Sequence, residues 1–244
     1  GAARIGGFDI ALLLTVVAAF PLDHARAQPA LSLYFELGPD GRRIVVLTDS
    51  LVPGEHALSS VLPDGSAPAV GLAQHATYPF QVTPDGASVV YVADPEESVY
   101  ELFRAVLDGS APPIRLSGPL VTGGDVVVYS GFTLAPDGSR AVYLADAVTD
   151  GVLELFSVVL DGSAPPVRLD PAHALALALD RPFRLAPDGS RVVYRSDQGE
   201  LFSVAADGAS PPVRLDRSFD GSPDPGGHVS SFELGADGAR VVYR

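Results

Sequence analysis

The sequence predicts an all-β protein, a β-propeller of four-stranded antiparallel blades with four full repeats and a partial fifth. A sixteen-residue block at Glu101–Leu116 recurs at Glu154–Leu169 with thirteen identities, and a third copy at Glu200–Leu215 matches the second at twelve positions. Upstream of each copy lies a second shared block, and its leading Phe recurs at intervals of 45, 52, 51 and 49 residues. A period of about 40–50 residues built from short strands is typical of propeller blades. The repeats begin near Phe35, Phe80, Phe132, Phe183 and Phe232.

Each period contains four short segments with strand character, in a fixed order. The first is Phe-x-Leu, and it ends at Pro-Asp-Gly, where Pro presets φ and Gly accepts a positive φ. The second, clearest at Arg191–Arg195, is rich in β-branched and aromatic residues. The third is Glu-Leu-Phe-Ser-Val, which an Asp-Gly hairpin signal closes. The fourth is Pro-Pro-Val-Arg-Leu, and because proline cannot donate to a ladder, we expect this strand at the sheet edge.

Residues that recur at one position in every blade are expected to be architectural, since a single binding site would not need them repeatedly. The repeated Glu101, Glu154 and Glu200 are expected to pair with neighbouring Arg residues. In the first period Leu47 and Ser59 stand where the other periods have Tyr and Phe, so this blade is expected to pack less tightly. The recurring aromatic residues, which we expect to pack the blades, are Tyr91, Tyr143, Tyr194, Phe103, Phe156 and Phe202.

The fifth period is short, since Phe232–Arg244 supplies only the two inner strands of a blade. Ring closure normally uses an outer strand from the other terminus, and only Leu31–Tyr34 stand ahead of the first strand once a leader is removed. The sequence therefore predicts an incomplete ring. Its exposed edge at Val241–Tyr243 is expected to allow pairing with another chain.

The block Phe-x-Leu-x-Pro-Asp-Gly-Ser-Arg-Val-Val-Tyr resembles the WD-like repeats of the TolB-type β-propellers of bacteria. The resemblance covers residues 35–244, with Pro-Asp-Gly in register in four periods. It implies a propeller fold. Its implications for function are broader, because such repeats occur in periplasmic assembly factors, in surface proteins and in front of peptidase domains.

Residues 1–27 have the pattern of a secretory signal peptide. Arg4 precedes an apolar run at 10–20, and Ala25-Arg-Ala27 provides an A-x-A cleavage site. This run of eleven residues is too short for a bilayer, which needs roughly 20 apolar residues. We therefore predict a cleaved leader, a propeller at 28–244, a periplasmic or secreted location and no transmembrane span. The alternative is an ordinary buried strand or short helix at 10–20.

The composition excludes several kinds of chemistry. The 244 residues carry a net charge of −14, and they include no Cys, Met, Trp, Lys or Asn. Disulfides, thiolate metal sites, lysine Schiff bases and Asn-linked glycans are therefore excluded. The negative charge argues against a nucleic-acid partner, because nothing in such a chain would release counterions from phosphates.

We find no catalytic motif in the sequence. It contains no Gly-x-Ser-x-Gly elbow, no P-loop and no Gly-x-Gly-x-x-Gly, and its five histidines are scattered. We therefore expect no catalytic residues, no metal site and no cofactor.

Two sets of residues are candidates for binding. Loops between strands two and three vary in length and sequence, and variable loops on a rigid scaffold often carry recognition. The alternative is that their acids only keep the protein soluble. Their carboxylates form the candidate partner-binding face: Asp94, Glu96, Glu97, Asp146, Asp150 and Asp197.

The second candidate set follows each repeat Phe on the innermost strand. These positions are polar in every period, and innermost strands line a propeller channel, so their side chains are placed to reach a ligand there. The alternative is that they are solvated residues beside water. The set comprises Glu36, Gln81, Thr133, Arg184 and Glu233.

The function that these patterns favour is an exported, non-catalytic scaffold in the bacterial cell envelope that binds another protein. The net charge of −14 favours a basic partner. Two alternatives stay open. One is the propeller domain of a larger enzyme, such as a prolyl-oligopeptidase-type peptidase, and the other is a carbohydrate-active propeller.

Overall fold

Every regular element in the described part of the chain is a β-strand. The computed structural model describes residues 4–5, 8–9, 33–49, 56–95, 98–128, 131–170, 182–216 and 229–244. The leader's apolar run and cleavage site lie outside these residues, and no helix that could cross a membrane occurs within them. The strands are β1 (Arg4–Ile5), β2 (Phe8–Asp9), β3 (Leu33–Leu37), β4 (Ile44–Asp49), β5 (His56–Val61), β6 (Val70–Gln74), β7 (Ala76–Val82), β8 (Ser88–Ala93), β9 (Glu101–Val106), β10 (Ile114–Arg115), β11 (Phe132–Leu134), β12 (Arg140–Ala145), β13 (Glu154–Val159), β14 (Val167–Arg168), β15 (Phe183–Leu185), β16 (Arg191–Arg195), β17 (Leu201–Ala205), β18 (Val213–Arg214), β19 (Phe232–Leu234) and β20 (Val241–Tyr243).

The sheets match the four-stranded repeats. Four sheets have the orders β3-β4-β5-β6, β7-β8-β9-β10, β11-β12-β13-β14 and β15-β16-β17-β18, and β19 pairs with β20. Neighbouring strands are antiparallel, as expected for hairpin-linked segments. The proline-preceded strands β10, β14 and β18 have only two residues each and lie at sheet edges. This confirms the predicted all-β fold of propeller blades with proline at the edge.

The repeated side chains form one row across the third and fourth blades. In the third blade Phe132 pairs with Tyr143, Tyr143 with Phe156, and Phe156 with Arg168. The Tyr143 and Phe156 rings stack with centroids 5.5 Å apart, and both side chains are buried. Equivalent stacks join Tyr91 to Phe103 and Tyr194 to Phe202. The recurring aromatic residues therefore pack the blades.

The first blade lacks this aromatic row, and one sequence assignment needs correction. Phe35 pairs with Val46, and Val46 pairs with Ser59. Val46, not Leu47, therefore holds the strand-two Tyr position, because Leu47 lies one residue further and pairs with Tyr34 instead. Ser59 holds the Phe position, as predicted.

The aspartates of the uniform turns make hydrogen bonds within their own turns. In nine turns with an Asp-Gly or Asp-Gly-Ser sequence, the Asp Oδ1 accepts the N–H of the residue two positions later, an arrangement that aspartate favours in turns. Such hydrogen bonds hold the pKa of Asp64, Asp85, Asp108, Asp137 and Asp188 below the usual value. The nine acceptors are Asp40, Asp64, Asp85, Asp108, Asp137, Asp161, Asp188, Asp207 and Asp237.

The chain divides into two compact units. The first comprises Gly1–Glu97 and Phe103–Ile114, and the second comprises Ser98–Leu102 and Arg115–Arg244. The main core of the first unit includes Leu58 and Phe80. The main core of the second unit joins side chains of the third and fourth blades and includes Leu155. Each unit thus buries its own hydrophobic core.

The last hairpin leaves one strand exposed. Phe232 on β19 is buried, whereas Val242 and Tyr243 on β20 are 71% and 38% exposed. The pairing of this edge with another chain stays a prediction.

Candidate functional site

The acids of the predicted partner-binding face stand in the loops that follow the second strand of a blade. In the first unit, Asp94 comes directly after β8, and its N–H donates to the His75 carbonyl at 3.1 Å. In the second unit, Asp146 and Asp150 lie between β12 and β13, and Asp197 lies between β16 and β17. Glu96 and Glu97 lie outside the described residues.

Asp146 organises its loop. Its Oδ1 accepts the Asp125 N–H at 2.5 Å, and its Oδ2 accepts the Gly151 N–H at 2.9 Å. Asp125 in turn accepts the Tyr100 N–H on Oδ1 at 2.7 Å. Both carboxylates therefore accept hydrogen bonds from the backbone. Asp146 is a positioning residue for the loop that carries Asp150.

Asp125 is a member of this cluster that the sequence pattern missed. It follows Gly123 and Gly124 in the connection between β10 and β11, a segment without a counterpart in the repeats. A methyl group on Gly124 would lie 2.4 Å from the Asp146 carbonyl oxygen, so the close approach requires glycine here. The feature of the sequence that could have indicated this role is the pair of glycines directly before Asp125.

Asp150 and Asp197 are the exposed carboxylates of this set in the second unit. The Asp150 carboxylate lies beside Gly123, where a methyl group would come within 3.0 Å of Oδ2. Asp197 Oδ2 accepts Gln198 Nε2 at 3.2 Å within its own loop. Neither is buried, so both remain available for long-range attraction of a cation.

Several residues of the channel-lining set already have partners. Glu36 is half-buried and accepts the Val82 N–H on Oε1 at 3.1 Å, and burial raises the pKa of Glu36 above its usual value. Arg184 Nη2 lies 3.8 Å from Glu233 Oε1, on the inner strand of the next blade. The Arg184 guanidinium also lies 5.7 Å from the Phe232 ring centroid. These side chains therefore make contacts between inner strands.

The other residues of that set differ in exposure. Thr133 and Glu233 are exposed, and Gln81 is half-buried. The ion pair with Glu233, whose side chain is 78% exposed, contributes little stability in water. All five positions carry polar side chains, and their role in lining a channel stays a prediction.

The repeated glutamates pair with arginine, as the sequence predicts. Arg115 Nη1 lies 2.8 Å from Glu101 Oε1. The corresponding distance in the fourth blade, between Arg214 and Glu200, is 2.5 Å. In the third blade, Arg168 Nη1 lies 3.1 Å from Glu154 Oε1.

A second acid completes the cluster in the third and fourth blades. Arg168 Nε donates to Asp170 Oδ1 at 3.1 Å, and Arg214 Nε donates to Asp216 Oδ1 at 2.9 Å. In the second blade this position is Ser117, whose hydroxyl accepts the Leu102 N–H. The third and fourth blades therefore hold one guanidinium between two carboxylates.

Burial perturbs the Asp170 carboxyl. Its side chain is fully buried, and Oδ2 has no hydrogen-bond partner among the described residues. With Glu154 and Arg168 it forms a buried group of net charge −1, which protonation would neutralise. Burial accordingly raises the pKa of Asp170 to about 7, although Arg168 opposes the shift. Burial raises the pKa of the Tyr194 phenol, and the Asp170 charge raises it further.

This carboxyl makes stability depend on pH. The pKa of Asp170 is about 7 in the fold against 3.8 for an exposed aspartate, so the folded state binds more protons between these values. The contribution of this carboxyl to the free energy of unfolding is therefore fully present below about pH 4, and it is lost as the pH rises to about 7. We expect Asp170→Asn to become more stable relative to wild type between pH 5 and pH 8, by at least about 1.4 kcal/mol, one pKa unit. Urea denaturation at the two pH values measures this, with Asp197→Asn as an exposed control. An unchanged difference would contradict it.

No group of three or more histidine or acidic side chains that could hold a metal ion occurs in the residues that the structure describes.

Neither a protein-family model nor a curated protein sequence matches this chain. Solved structures do. A protein assigned as TolB from Agrobacterium tumefaciens superposes with a TM-score of 0.50 and 17% identity, over 89% of this chain and 82% of that one. An oligogalacturonate lyase from Vibrio parahaemolyticus gives a TM-score of 0.53 and 12% identity, over 89% of this chain and 63% of the lyase. A prolyl endopeptidase gives 0.52 and 13%, over 76% of this chain and 26% of the enzyme.

At these identities the likeness concerns the fold. The chain has a TolB-like propeller fold, which it shares with enzymes that are longer than the matched region. Because one fold hosts unrelated functions, this similarity does not choose among them.

Proposed function

We propose that this chain is an exported, non-catalytic β-propeller that binds a protein partner in the bacterial cell envelope. One observation supports it above the others. The nine aspartates of the uniform turns are exposed, but each accepts a backbone N–H within its own turn, whereas Asp150 and Asp197 are exposed in loops that differ from blade to blade. Exposed charge on variable loops of a regular scaffold is typical of a recognition surface.

The location and domain organisation belong to the same proposal. Residues 1–27 are the signal peptide, 28–244 form the propeller, and the mature protein is periplasmic or secreted. The resemblance of the repeats to TolB-type propellers supports an envelope location. The N-terminal Arg4, the apolar run at 10–20 and the A-x-A cleavage site support export.

The partner-binding face comprises Asp94, Glu96, Glu97, Asp146, Asp150 and Asp197, with Asp146 holding the loop. Its partner is a basic protein. Nucleic acid is disfavoured by the net charge of −14. Attraction of this kind is screened over a Debye length of about 8 Å at physiological salt, so binding weakens as salt rises.

The test compares two triple variants of equal charge. We expect the set Asp94→Asn, Asp150→Asn and Asp197→Asn to weaken capture of basic proteins from a bacterial envelope extract about tenfold, or about 1.4 kcal/mol. The measurement is the amount of each protein retained by the immobilised chain, quantified by mass spectrometry at low and physiological salt.

The control set is Asp108→Asn, Asp161→Asn and Asp207→Asn, which removes the same charge at the uniform turns. Asparagine keeps the Oδ1 acceptor of each turn, so the fold is preserved. Equal loss in both sets would show that only net charge matters, and absence of any retained protein would contradict the scaffold.

The enzymatic alternatives are tested directly. Propeller glycosidases need two facing carboxylates, and propeller peptidases need a separate hydrolase nucleophile. Turnover of oligogalacturonate, other glycosides or peptides by the purified chain would overturn the non-catalytic proposal.

A further inference from the structure

Two exposed tyrosines in the first unit form a stacked pair. The ring centroids of Tyr34 and Tyr78 are 4.5 Å apart with an interplanar angle of 23°. Their exposed fractions are 46% and 51%, in contrast to the buried tyrosines of the blade rows. Tyr78 also meets Phe80 edge-on, with centroids 6.4 Å apart. The pair lies on β3 and β7, the first strands of two successive blades.

This pair does not belong to the repeat architecture. The residue before each repeat Phe is Tyr34 in the first period, but it is Pro, Gly, Pro and Ser in the others. The residue before that is Tyr78 in the second period, but Leu, Ser, Arg and Ser elsewhere. Blade packing therefore does not require an aromatic residue at either position, which leaves the pair open for a different role.

The backbone around Tyr78 departs from the regular ladder. Thr77 pairs with Val92 and Phe80 pairs with Tyr91, so Tyr78 and Pro79 stand in a bulge. Bulges re-aim side chains and are common beside functional sites. His75, just before β7, has a positive φ of 55°, a conformation that costs free energy for a non-glycine residue. The strand start is thus shaped to present the Tyr78 ring to solvent.

Two acidic residues stand close in the chain or in strand pairing to the elements that carry the tyrosine pair. The Asp94 N–H donates to the His75 carbonyl, which attaches the Asp94 loop to the start of β7. Glu36 lies two residues after Tyr34 on the same strand. The faces of aromatic rings attract cations, and a planar guanidinium stacks on them better than an ammonium does. The net charge of −14 favours a cationic ligand, and the exposed ring faces favour arginine among the cationic side chains.

We propose that Tyr34 and Tyr78 form a subsite that stacks an arginine side chain of the protein partner. This inference rests on the proposed function and specifies the partner, which presents an arginine-containing basic segment. The carboxylates attract the segment at long range, and the tyrosine pair selects guanidinium at contact.

The test uses two labelled peptides of equal charge, (Gly-Arg)4 and (Gly-Lys)4, in fluorescence anisotropy titrations of the full chain. We expect the arginine peptide to bind more tightly. Tyr78→Leu should weaken it about fivefold, or about 1 kcal/mol, and should abolish its advantage over the lysine peptide. Tyr78→Phe keeps the ring face and should retain the preference. Tyr243→Leu, an exposed tyrosine of the second unit, is the matched control and should change nothing.

Urea midpoints of all three variants establish that each is folded. Equal affinity for both peptides in wild type, or unchanged arginine binding in Tyr78→Leu, would overturn the subsite. The subsite can fail while the proposed scaffold function stands. This would be the outcome if the triple variant of Asp94, Asp150 and Asp197 still captures less protein than wild type. Binding of uncharged chitotetraose that Tyr78→Leu abolishes, without arginine binding, would overturn the subsite in favour of a carbohydrate site.

Discussion

Replacing Arg168 with alanine is expected to lower the free energy of unfolding by about 3–5 kcal/mol, because it breaks a buried ion cluster. The Glu154 and Asp170 side chains are 1% and 0% exposed, and both lie 3.1 Å from Arg168 nitrogen atoms. Without the guanidinium, two buried carboxyls face each other with no compensating charge. Chemical denaturation at pH 8 measures the loss.

The second blade provides the matched control. Arg115 is 49% exposed, its partner Glu101 is 11% exposed, and Ser117 replaces the second acid. Arg115→Ala should therefore lower stability by no more than about 1 kcal/mol. The deficit of Arg168→Ala should also shrink at pH 5, since protonation discharges the orphaned carboxyls. Equal losses in the two variants would refute the buried-cluster explanation.

Truncating Phe156 to alanine should destabilise the chain by about 3–5 kcal/mol, the usual range for a buried phenylalanine. Phe156 is 7% exposed and stacks on Tyr143 in the middle of the third blade. Its removal leaves a cavity in the sheet interface and deprives Tyr143 of its ring partner. The urea midpoint, with the slope of the transition, reports the change.

Val148→Ala serves as the control for Phe156. Val148 is 55% exposed in the β12–β13 loop, and such surface changes usually stay within about 0.5 kcal/mol. A Phe156→Ala midpoint equal to that of wild type would show that the aromatic row does not carry blade stability.

Strand order and the aromatic row followed directly from the repeats, because identical segments must occupy identical environments. The first blade shows where this reasoning ends. Without the aromatic residues as markers, Leu47 was assigned the place of Val46, and a one-residue difference moves a side chain to the opposite face of a strand. The pairing of Phe35 with Val46 fixes the alternation, and it agrees with the eleven residues that separate Phe from Tyr in the other three full periods.

The candidate sites were less predictable, because a sequence shows charge but not which charge is already satisfied. Asp146 and Asp150 are both aspartates of the same variable loop. The Asp146 carboxylate accepts two backbone N–H groups, whereas the Asp150 side chain is exposed. Likewise, the bulge that presents Tyr78 depends on how β7 meets β8, a property of two segments together. Loop geometry, not residue type, decides these roles.

Under the proposed export, the hairpin-linked order of each sheet favours folding of the blades as the chain emerges. Phe132 and Tyr143 are eleven residues apart, and Phe156 and Arg168 are twelve apart, so both of these pairings close over a short stretch. Such low contact order favours rapid local folding. A chain threaded through a translocation channel, N-terminus first, would have all four strands of the third blade available by Arg168. The blades would thus form one after another as the chain emerges, because each strand pairs with its neighbour in the sequence.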